Sequence, residues 1–145
     1  MPQLILFNTF ELNVHKKSIN LDTAANGGDT IKIALSNIAP TSSWSQLSSV
    51  TQIANGQGYT TGGAAATITS LSQSSGTMTW VLGANITWTG GASGMATFRY
   101  LYLYSDTSTN DLLIGCIDHG SAVSLASGQS FIYACNGVTH LTVVQ

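Results

Sequence analysis

Three histidines and two cysteines are the side chains of this 145-residue chain that could serve a metal site or activate a nucleophile. His15, His119 and His140 do not stand at metal-ligand spacing from one another or from a cysteine. Asp118 and His119 together suggest a triad with a serine, but no Gly-x-Ser-x-Gly elbow accompanies them, and neighbours along a strand point to opposite faces. We therefore expect Asp118 and His119 to end a strand and to bond turn amides.

A second pattern places oxygen-bearing side chains close together, as at the start of a calcium loop: Asp106, Ser108, Asn110 and Asp111. The glycine and the distal glutamate of a twelve-residue calcium loop are missing, so an Asx-rich hairpin turn fits better. No pair of acids suggests acid–base catalysis, and no phosphate-binding glycine pattern opens a helix. The sequence therefore predicts no catalytic residue, no metal ligand and no cofactor, and hence a protein that is not an enzyme.

Aromatic residues recur at every second position of one run: Phe98, Tyr100, Tyr102 and Tyr104. Such a ladder could stack on sugar rings, but four aromatic side chains left in water would form a large exposed apolar patch, and we expect them in the core. Cys116 and Cys135 occupy apolar positions of predicted strands. A cross-strand disulfide between them stays open, although two buried thiols that pack as small hydrophobic groups fit better.

Most of these residues lie on or beside a predicted hairpin at 94–120, which contains the most apolar run of the chain. Residues 96–104 alternate with both faces largely apolar, which predicts a central strand covered on both sides. A polar loop at 105–111 leads to a second strand at 112–118. We expect a strand at 30–36 with one face exposed to solvent. A loop should follow it, held against the body of the domain by Trp44 and Leu47. Further strands are predicted at 64–70, 77–82, 86–89 running back along 77–82, 122–125, 130–135 and 138–145.

The chain thus contains eight to ten short strands separated by turns. This pattern predicts a mostly β fold, an antiparallel β-sandwich or jelly-roll-like single domain. We assign residues 29–145 to that domain, and residues 1–28 to an N-terminal arm or short helix followed by a glycine-rich linker. No strand alternates with a long amphipathic helix, so a parallel α/β sheet is not expected.

Charged residues make up only 7% of the chain, against about 25% in a typical domain. A surface of neutral hydroxyl and amide groups has weak long-range fields and suits a subunit packed beside many copies of itself. The net charge of −2, with only four lysine and arginine residues, argues against nucleic-acid binding. The sequence shows neither a run of about 18 apolar residues nor a secretory signal at its start, so we expect no membrane partner and no export.

Three segments carry motifs in a fixed order: DTIKIALSNIAPT at 29–41, TQIANGQGYT at 51–60, and the run from ITWTGG to GQSF at 86–131. With them the chain resembles a family of small structural proteins of tailed bacteriophages. The likeness consists of a D-T-x-K-x-A-L-(S/T) strand, a G-x-G-Y-T segment, a W-T strand, an F-R-Y-x-x-L-Y hairpin and an L-I-G-x-x-D-x-G strand leading to G-x-(S/T)-F. It covers most of residues 29–145 and keeps the spacing. Two loop changes depart from it: Leu112 stands where proline is frequent, and AANGG precedes Asp29.

The resemblance implies a virion component, above all a capsid decoration or cement protein that binds the outside of the major capsid protein lattice and stabilises the head. It implies binding without catalysis, a homo-oligomer with a trimer favoured, and a place on the virion after synthesis in the host cytoplasm. The N-terminal arm would reach a neighbouring subunit, because unattached terminal residues are free to order on binding. A tail, baseplate or fibre component stays open as an alternative, as does a receptor- or glycan-binding module that uses exposed tyrosines.

Overall fold

Ten strands and one helix form the regular structure of residues 3–144, the part of the chain that the computed structural model describes. The strands are β1 (Leu4–Leu6), β2 (Ile31–Ser36), β3 (Ala64–Ala66), β4 (Ile68–Ser74), β5 (Thr77–Leu82), β6 (Ile86–Thr89), β7 (Met95–Ser105), β8 (Leu112–Leu125), β9 (Ser130–Tyr133) and β10 (Thr139–Val144). Helix α1 spans Phe10–His15, and single 3-10 turns lie at Ala24–Asn26 and Leu47–Ser49. No helical segment in residues 3–144 is long and apolar enough to cross a membrane. The first two residues of the predicted arm and the last residue of the predicted strand at 138–145 lie outside this range.

The strands form antiparallel sheets that stack as a sandwich. The main sheet has the order β1-β8-β7-β2-β3, a second sheet has the order β10-β5-β4, and β6 pairs with β9. All pairings among these strands are antiparallel. The prediction of a mostly β, antiparallel, sandwich-like fold is therefore confirmed.

The main core lies between the five-stranded sheet and the two smaller sheets. Ile33, Leu101 and Ile117 enter it from β2, β7 and β8, and each is at most 1% exposed. Trp80 of β5 and Trp88 of β6 belong to the same cluster from the opposite layer. Full burial of an apolar side chain of this size stabilises the fold by about 1.5–3 kcal/mol relative to leaving it exposed, so this cluster holds the layers together.

The other face of the main sheet is covered too, by Phe7 and by the loop between β2 and β3. Tyr102 and Tyr104 of β7 are buried on this face. The Tyr102 hydroxyl donates to the Ile38 carbonyl oxygen at 2.7 Å, and the Tyr104 hydroxyl donates to the Gly62 carbonyl oxygen at 2.7 Å. Both polar tips are therefore satisfied by the loop that covers the rings, as buried tyrosines require.

Trp44 and Leu47 pin this loop to the sheet, as the sequence predicted. Leu47 is buried, and the Trp44 ring centroid lies 6.3 Å from that of Tyr102. Because the loop covers the sheet, the wet face that we predicted for the strand at 30–36 is wrong: Ala34 and Ser36 are both 0% exposed. Ser36 tolerates burial because its hydroxyl donates to a loop carbonyl oxygen at 2.6 Å.

Irregular register between β7 and β8 decides which face each aromatic residue takes. The register shifts between Phe98 and Tyr100 and again between Leu103 and Tyr104. Phe98 joins the main core, whereas Tyr100, Tyr102 and Tyr104 lie on the loop-covered face. The prediction that all four aromatics share one face is therefore wrong, because a bulge places the residues beyond it on the opposite face.

Two strand pairings also differ from the prediction. The strands expected at 112–118 and 122–125 form one continuous β8, and β7 pairs with both ends of it, with Ser105 opposite Leu112 and Met95 opposite Leu125. The strand at 86–89 does not run back along β5, whose two edges are taken by β4 and β10. It pairs with β9 instead.

The N-terminal segment is packed onto the domain. β1 extends the edge of the main sheet, with Ile5 opposite Cys116. Phe10 of α1 and Ile19 and Leu21 beyond it belong to the main core. The predicted short helix is present, but the free arm is wrong for residues 4–21, because burial of these side chains ties the segment to the core.

Gly63 and Gly27 provide a matched test of how closely the covering loop approaches β2. Their φ angles are +76° and +77°, but a Cβ at Gly63 would lie 1.8 Å from the Ile33 carbonyl oxygen, whereas one at Gly27 would meet nothing within 4 Å. We expect Gly27→Ala to lower the free energy of unfolding by about 1–2 kcal/mol, from backbone conformation alone. Gly63→Ala should lower it by roughly 4 kcal/mol or more, since the loop must move off the sheet. Urea denaturation measures both, and equal losses would contradict the close approach.

Candidate functional site

The three histidines lie in separate places. His15 ends α1 at the surface, with Nε2 3.8 Å from the Glu11 carboxylate. His119 is exposed on β8, and His140 is buried on β10. Within residues 3–144, no group of three or more histidine, cysteine, aspartate or glutamate residues could hold a metal ion. The fold thus brings none of the candidate metal ligands together.

Asp118 pairs with Arg99 and not with His119. Arg99 Nε donates to one Asp118 carboxylate oxygen at 2.7 Å, and its Nη2 donates to the other at 2.8 Å. The Gly120 amide donates to Asp118 as well, at 2.8 Å. The guanidinium, and after it the amide, hold the pKa of Asp118 at about 2. Asp118 accepts a hydrogen bond from a turn amide, as predicted. The prediction that it ends a strand is wrong, because β8 continues past it. Its ion pair with Arg99 joins β8 to β7.

The loop between β7 and β8 is a turn built largely on serine hydroxyls. Ser108 Oγ donates to the Ser105 carbonyl oxygen at 2.8 Å and accepts a backbone N–H of β8 at the same distance. Asp106 pairs with Lys32 at 3.0 Å, and Asn110 has a φ of +69°. Ser108 and Asn110 shape the hairpin turn, which agrees with the prediction, and Asp106 ties the turn to β2. The sequence analysis included Ser108 in this pattern but expected an Asx-rich turn, whereas the Ser108 hydroxyl makes the backbone contacts.

Most of the aromatic run on β7 is buried. Phe98, Tyr102 and Tyr104 are at most 1% exposed, which confirms the prediction that they form core. Tyr100 is half-buried, and the Arg99 guanidinium carbon lies 5.3 Å from the centroid of its ring. A sugar-stacking platform made of these four rings is therefore ruled out by their burial.

Cys116 and Cys135 are buried free thiols, which confirms the favoured alternative and excludes the disulfide. Cys116 lies on the loop-covered face of the main sheet, whereas Cys135 belongs to the main core. The main sheet separates them. Burial raises the pKa of Cys116 to about 12, so its thiol is inert at neutral pH.

An open groove of about 800 Å³ runs between the N-terminal segment and the three-stranded sheet, and we call it the α1–β10 groove. Its apolar lining comes from both sides and includes Leu6, Phe10, Val14, Met78, Leu141 and Val143. The first three belong to β1 and α1, and the last three to β5 and β10. The groove has the size of a typical ligand pocket, but its open shape suits an extended apolar segment.

Apolar side chains remain accessible along this groove. Leu6 and Val143 are 38% and 41% exposed. Glu11, His15 and Lys17 lie on the rim, and Glu11 and Lys17 have opposite charges, so the rim has no strong net field. Neighbouring exposed apolar side chains with a mixed polar rim are typical of protein interaction sites. The α1–β10 groove can therefore bind by burying apolar area.

A smaller groove of about 320 Å³ lies between β9 and the main sheet. Ile117, Phe131 and Ile132 contribute to its lining, together with the ionisable side chains of His119 and Tyr133. The His119 and Phe131 rings meet edge to face, with centroids 5.4 Å apart. The imidazole is therefore occupied in packing beside an apolar surface.

Sequence reasoning missed the α1–β10 groove because its walls come from opposite ends of the chain. The signal was present in part, because apolar residues of both terminal segments line the groove, among them Leu6, Leu141 and Val143. Alternation along 138–145 predicts a half-buried strand, but it does not reveal that apolar residues line an open surface.

The Arg99–Asp118 pair generates a pH-dependence test. We expect Arg99→Gln to raise the pKa of Asp118 from about 2 toward its usual value near 3.9, because the first cause of the depression is removed. A depressed carboxylate pKa stabilises the fold above the unfolded value, and the contribution is lost as the pH falls toward the folded value. Carbon-13 NMR titration of the Asp118 carboxylate measures the change. Lys32→Gln removes a cation paired elsewhere and should leave the Asp118 pKa unchanged; a shift of equal size in both variants would contradict the pairing.

Comparison with known proteins finds no match for this chain. The chain matches no family model, no curated protein and no solved structure. A function for the chain therefore rests on its surface geometry and on the motifs of its sequence.

Proposed function

We propose that this chain is a non-enzymatic structural protein of a tailed-phage virion, a capsid decoration protein that binds the outside of the major capsid protein lattice and stabilises the head. The supporting observation is the position of the phage-like motifs in the fold. The D-T-x-K-x-A-L motif overlaps β2, the F-R-Y motif lies on β7, and the L-I-G motif lies on β8. These are adjacent strands of the main sheet.

The remaining motif residues pack on the same sheet. Tyr59 of the G-x-G-Y-T segment accepts the Leu35 amide N–H with its hydroxyl at 3.2 Å. Phe131 of the final G-x-(S/T)-F segment meets Phe98 edge to face, with ring centroids 5.1 Å apart. The resemblance therefore concerns residues that build one core, which favours a shared architecture over scattered chance matches.

The proposed mechanism is binding through many weak contacts. Each copy offers the α1–β10 groove to an apolar segment of the major capsid protein. Few surface charges allow copies to sit side by side with little repulsion. Because the sites of a shell are held together, contacts that are individually modest become strong through effective concentration. We propose a homo-oligomer, with a trimer as its order, and native mass spectrometry measures that order directly.

Cryo-electron microscopy of the particle that contains this chain tests the location. We expect density for a β-sandwich repeated over the outer capsid surface. Density confined to the tail, baseplate or fibre would overturn the decoration role and favour the tail alternative. Binding to glycans together with density at the fibre tip would instead favour a receptor-binding module.

Charge substitutions in the groove test the binding surface. Leu6→Glu and Val143→Glu place a carboxylate on partly exposed positions, so the fold should tolerate them. We expect each to weaken binding to undecorated capsids by about tenfold or more, which corresponds to about 1.4 kcal/mol or more, because the carboxylate would be buried in the interface. Ile38→Glu is the matched control, since Ile38 is 49% exposed and does not line the groove. Equal binding by all three variants, measured by cosedimentation, would exclude the groove as the contact.

A further inference from the structure

The side chain of His140 links β10 to β9 through its ring nitrogens. Nδ1 lies 2.7 Å from the Val138 carbonyl oxygen, and Nε2 lies 2.6 Å from the Tyr133 hydroxyl. A carbonyl oxygen only accepts, so Nδ1 carries the hydrogen of the neutral ring. Nε2 is then the acceptor, and the Tyr133 hydroxyl donates to it. In this arrangement a neutral imidazole satisfies both ring nitrogens and the phenol hydrogen.

The layer around His140 has no charge that could compensate a protonated ring. Across β4, β5, β6, β9 and β10, His140 is the only acidic or basic residue. Tyr133 of β9 and Trp80 of β5 pack edge to face on the imidazole, with centroids 5.8 and 6.2 Å away. None of the ion pairs within residues 3–144 involves His140.

Other ionisable groups nearby along the chain are directed elsewhere. The Cys135 thiol, in the turn before β10, donates to a backbone carbonyl oxygen at 3.2 Å. Asp22 follows the Leu21 carbonyl that the Trp80 indole binds, and its carboxylate accepts two hydrogen bonds within its own turn. Burial raises the pKa of Tyr133, so the phenol stays protonated at neutral and acidic pH. A positive charge on His140 would thus be buried without a counter-ion.

We propose that His140 is a pH-sensitive latch that holds β10 on β5 at neutral pH and releases it in acid. A proton taken up from water at Nε2 turns the acceptor of the Tyr133 hydrogen bond into a donor. The hydroxyl must then rotate to accept from the ring, which takes its own hydrogen away from its acceptor, and a charge without a counter-ion lies in the core. Release of β10 returns the imidazole to water, where its charge is solvated.

The latch also controls the candidate interaction surface. Leu141 and Val143 of β10 form part of one wall of the α1–β10 groove, so release of β10 takes that wall apart. This consequence rests on the proposed function, whereas the latch is a property of the isolated chain. Acid would dismantle the binding surface, and neutral pH would restore it.

The direction of the pH effect follows from proton linkage. Burial lowers the pKa of His140 below its usual value near 6.5, and the hydrogen bond to Val138 opposes this only in part. The open strand therefore binds one proton more than the closed strand at a pH between the two values. The opening equilibrium should rise by up to about tenfold per pH unit as the pH falls below about 6.5, and level off below the folded pKa.

Hydrogen exchange of the full chain between pH 7.5 and 5 tests the latch, after correction for intrinsic exchange rates. We expect amides of β10 to lose protection by up to about tenfold per pH unit below about pH 6.5, while amides of β7 keep theirs. Proton NMR should show the His140 ring titrating below 6.5. Protection of β10 that does not depend on pH, or a His140 ring that titrates at or above 6.5, would overturn the proposal.

Two variants and a control assign the effect to this ring. His140→Gln keeps an acceptor for Tyr133 but cannot titrate, so β10 should lose its pH dependence. His119→Gln replaces an exposed histidine, and in this variant the protection of β10 should still depend on pH. If His140→Gln does not fold, the Tyr133→Phe variant tests the latch instead. Because this variant lacks the hydroxyl that donates to the neutral ring, the pKa of His140 should rise. Loss of the effect in His119→Gln, or an unchanged His140 pKa in Tyr133→Phe, would contradict the latch. Capsid binding at pH 7.5 tests the proposed function separately, since it does not depend on the acid response.

Discussion

Burial of the main sheet on both faces is the constraint on which the rest of the structure depends. β7 and β2 contact the sandwich core on one side and the β2–β3 loop on the other, so their side chains must be neutral or fully bonded. Tyr102 and Tyr104 meet this condition by donating their hydroxyls to carbonyl oxygens of the loop. The loop is thereby ordered by the sheet that it covers.

The larger open groove lies at the periphery, where both terminal segments contribute to its walls. β1 and α1 approach the three-stranded sheet and leave the α1–β10 groove between them. Apolar side chains are accessible there, which suits a surface that acts by excluding water together with a partner. A subunit that adds contact area to a larger assembly needs this kind of surface and a rigid body behind it. The doubly covered sheet provides the rigidity.

The chain has few charged side chains, and their positions differ between the two layers of the sandwich. Lys32 and Arg99 each pair with an aspartate across neighbouring segments of the main sheet, at 3.0 and 2.7 Å. The opposite layer has a single basic residue, His140, and holds it neutral between a carbonyl oxygen and a phenol. In a layer without counter-ions, one proton has a large effect, because nothing nearby can neutralise it. A low content of charge thus makes the fold tolerant of crowding and sensitive to acid at one position.

The sequence by itself determined the class of fold, the central hairpin, the buried state of Phe98, Tyr102 and Tyr104, and the role of Trp44 and Leu47, because period-two patterns and turn residues act locally. Tertiary structure decided the rest. The register irregularity between Phe98 and Tyr100 changes the face that the side chains take. Alternation along β7 alone cannot locate it, since the additional residues lie on the partner strand, between Asp118 and Val123. The docking of residues 4–21, the groove and the neutral surroundings of His140 all arise from contacts between segments far apart in the chain, and such contacts leave no periodic signal in either segment alone.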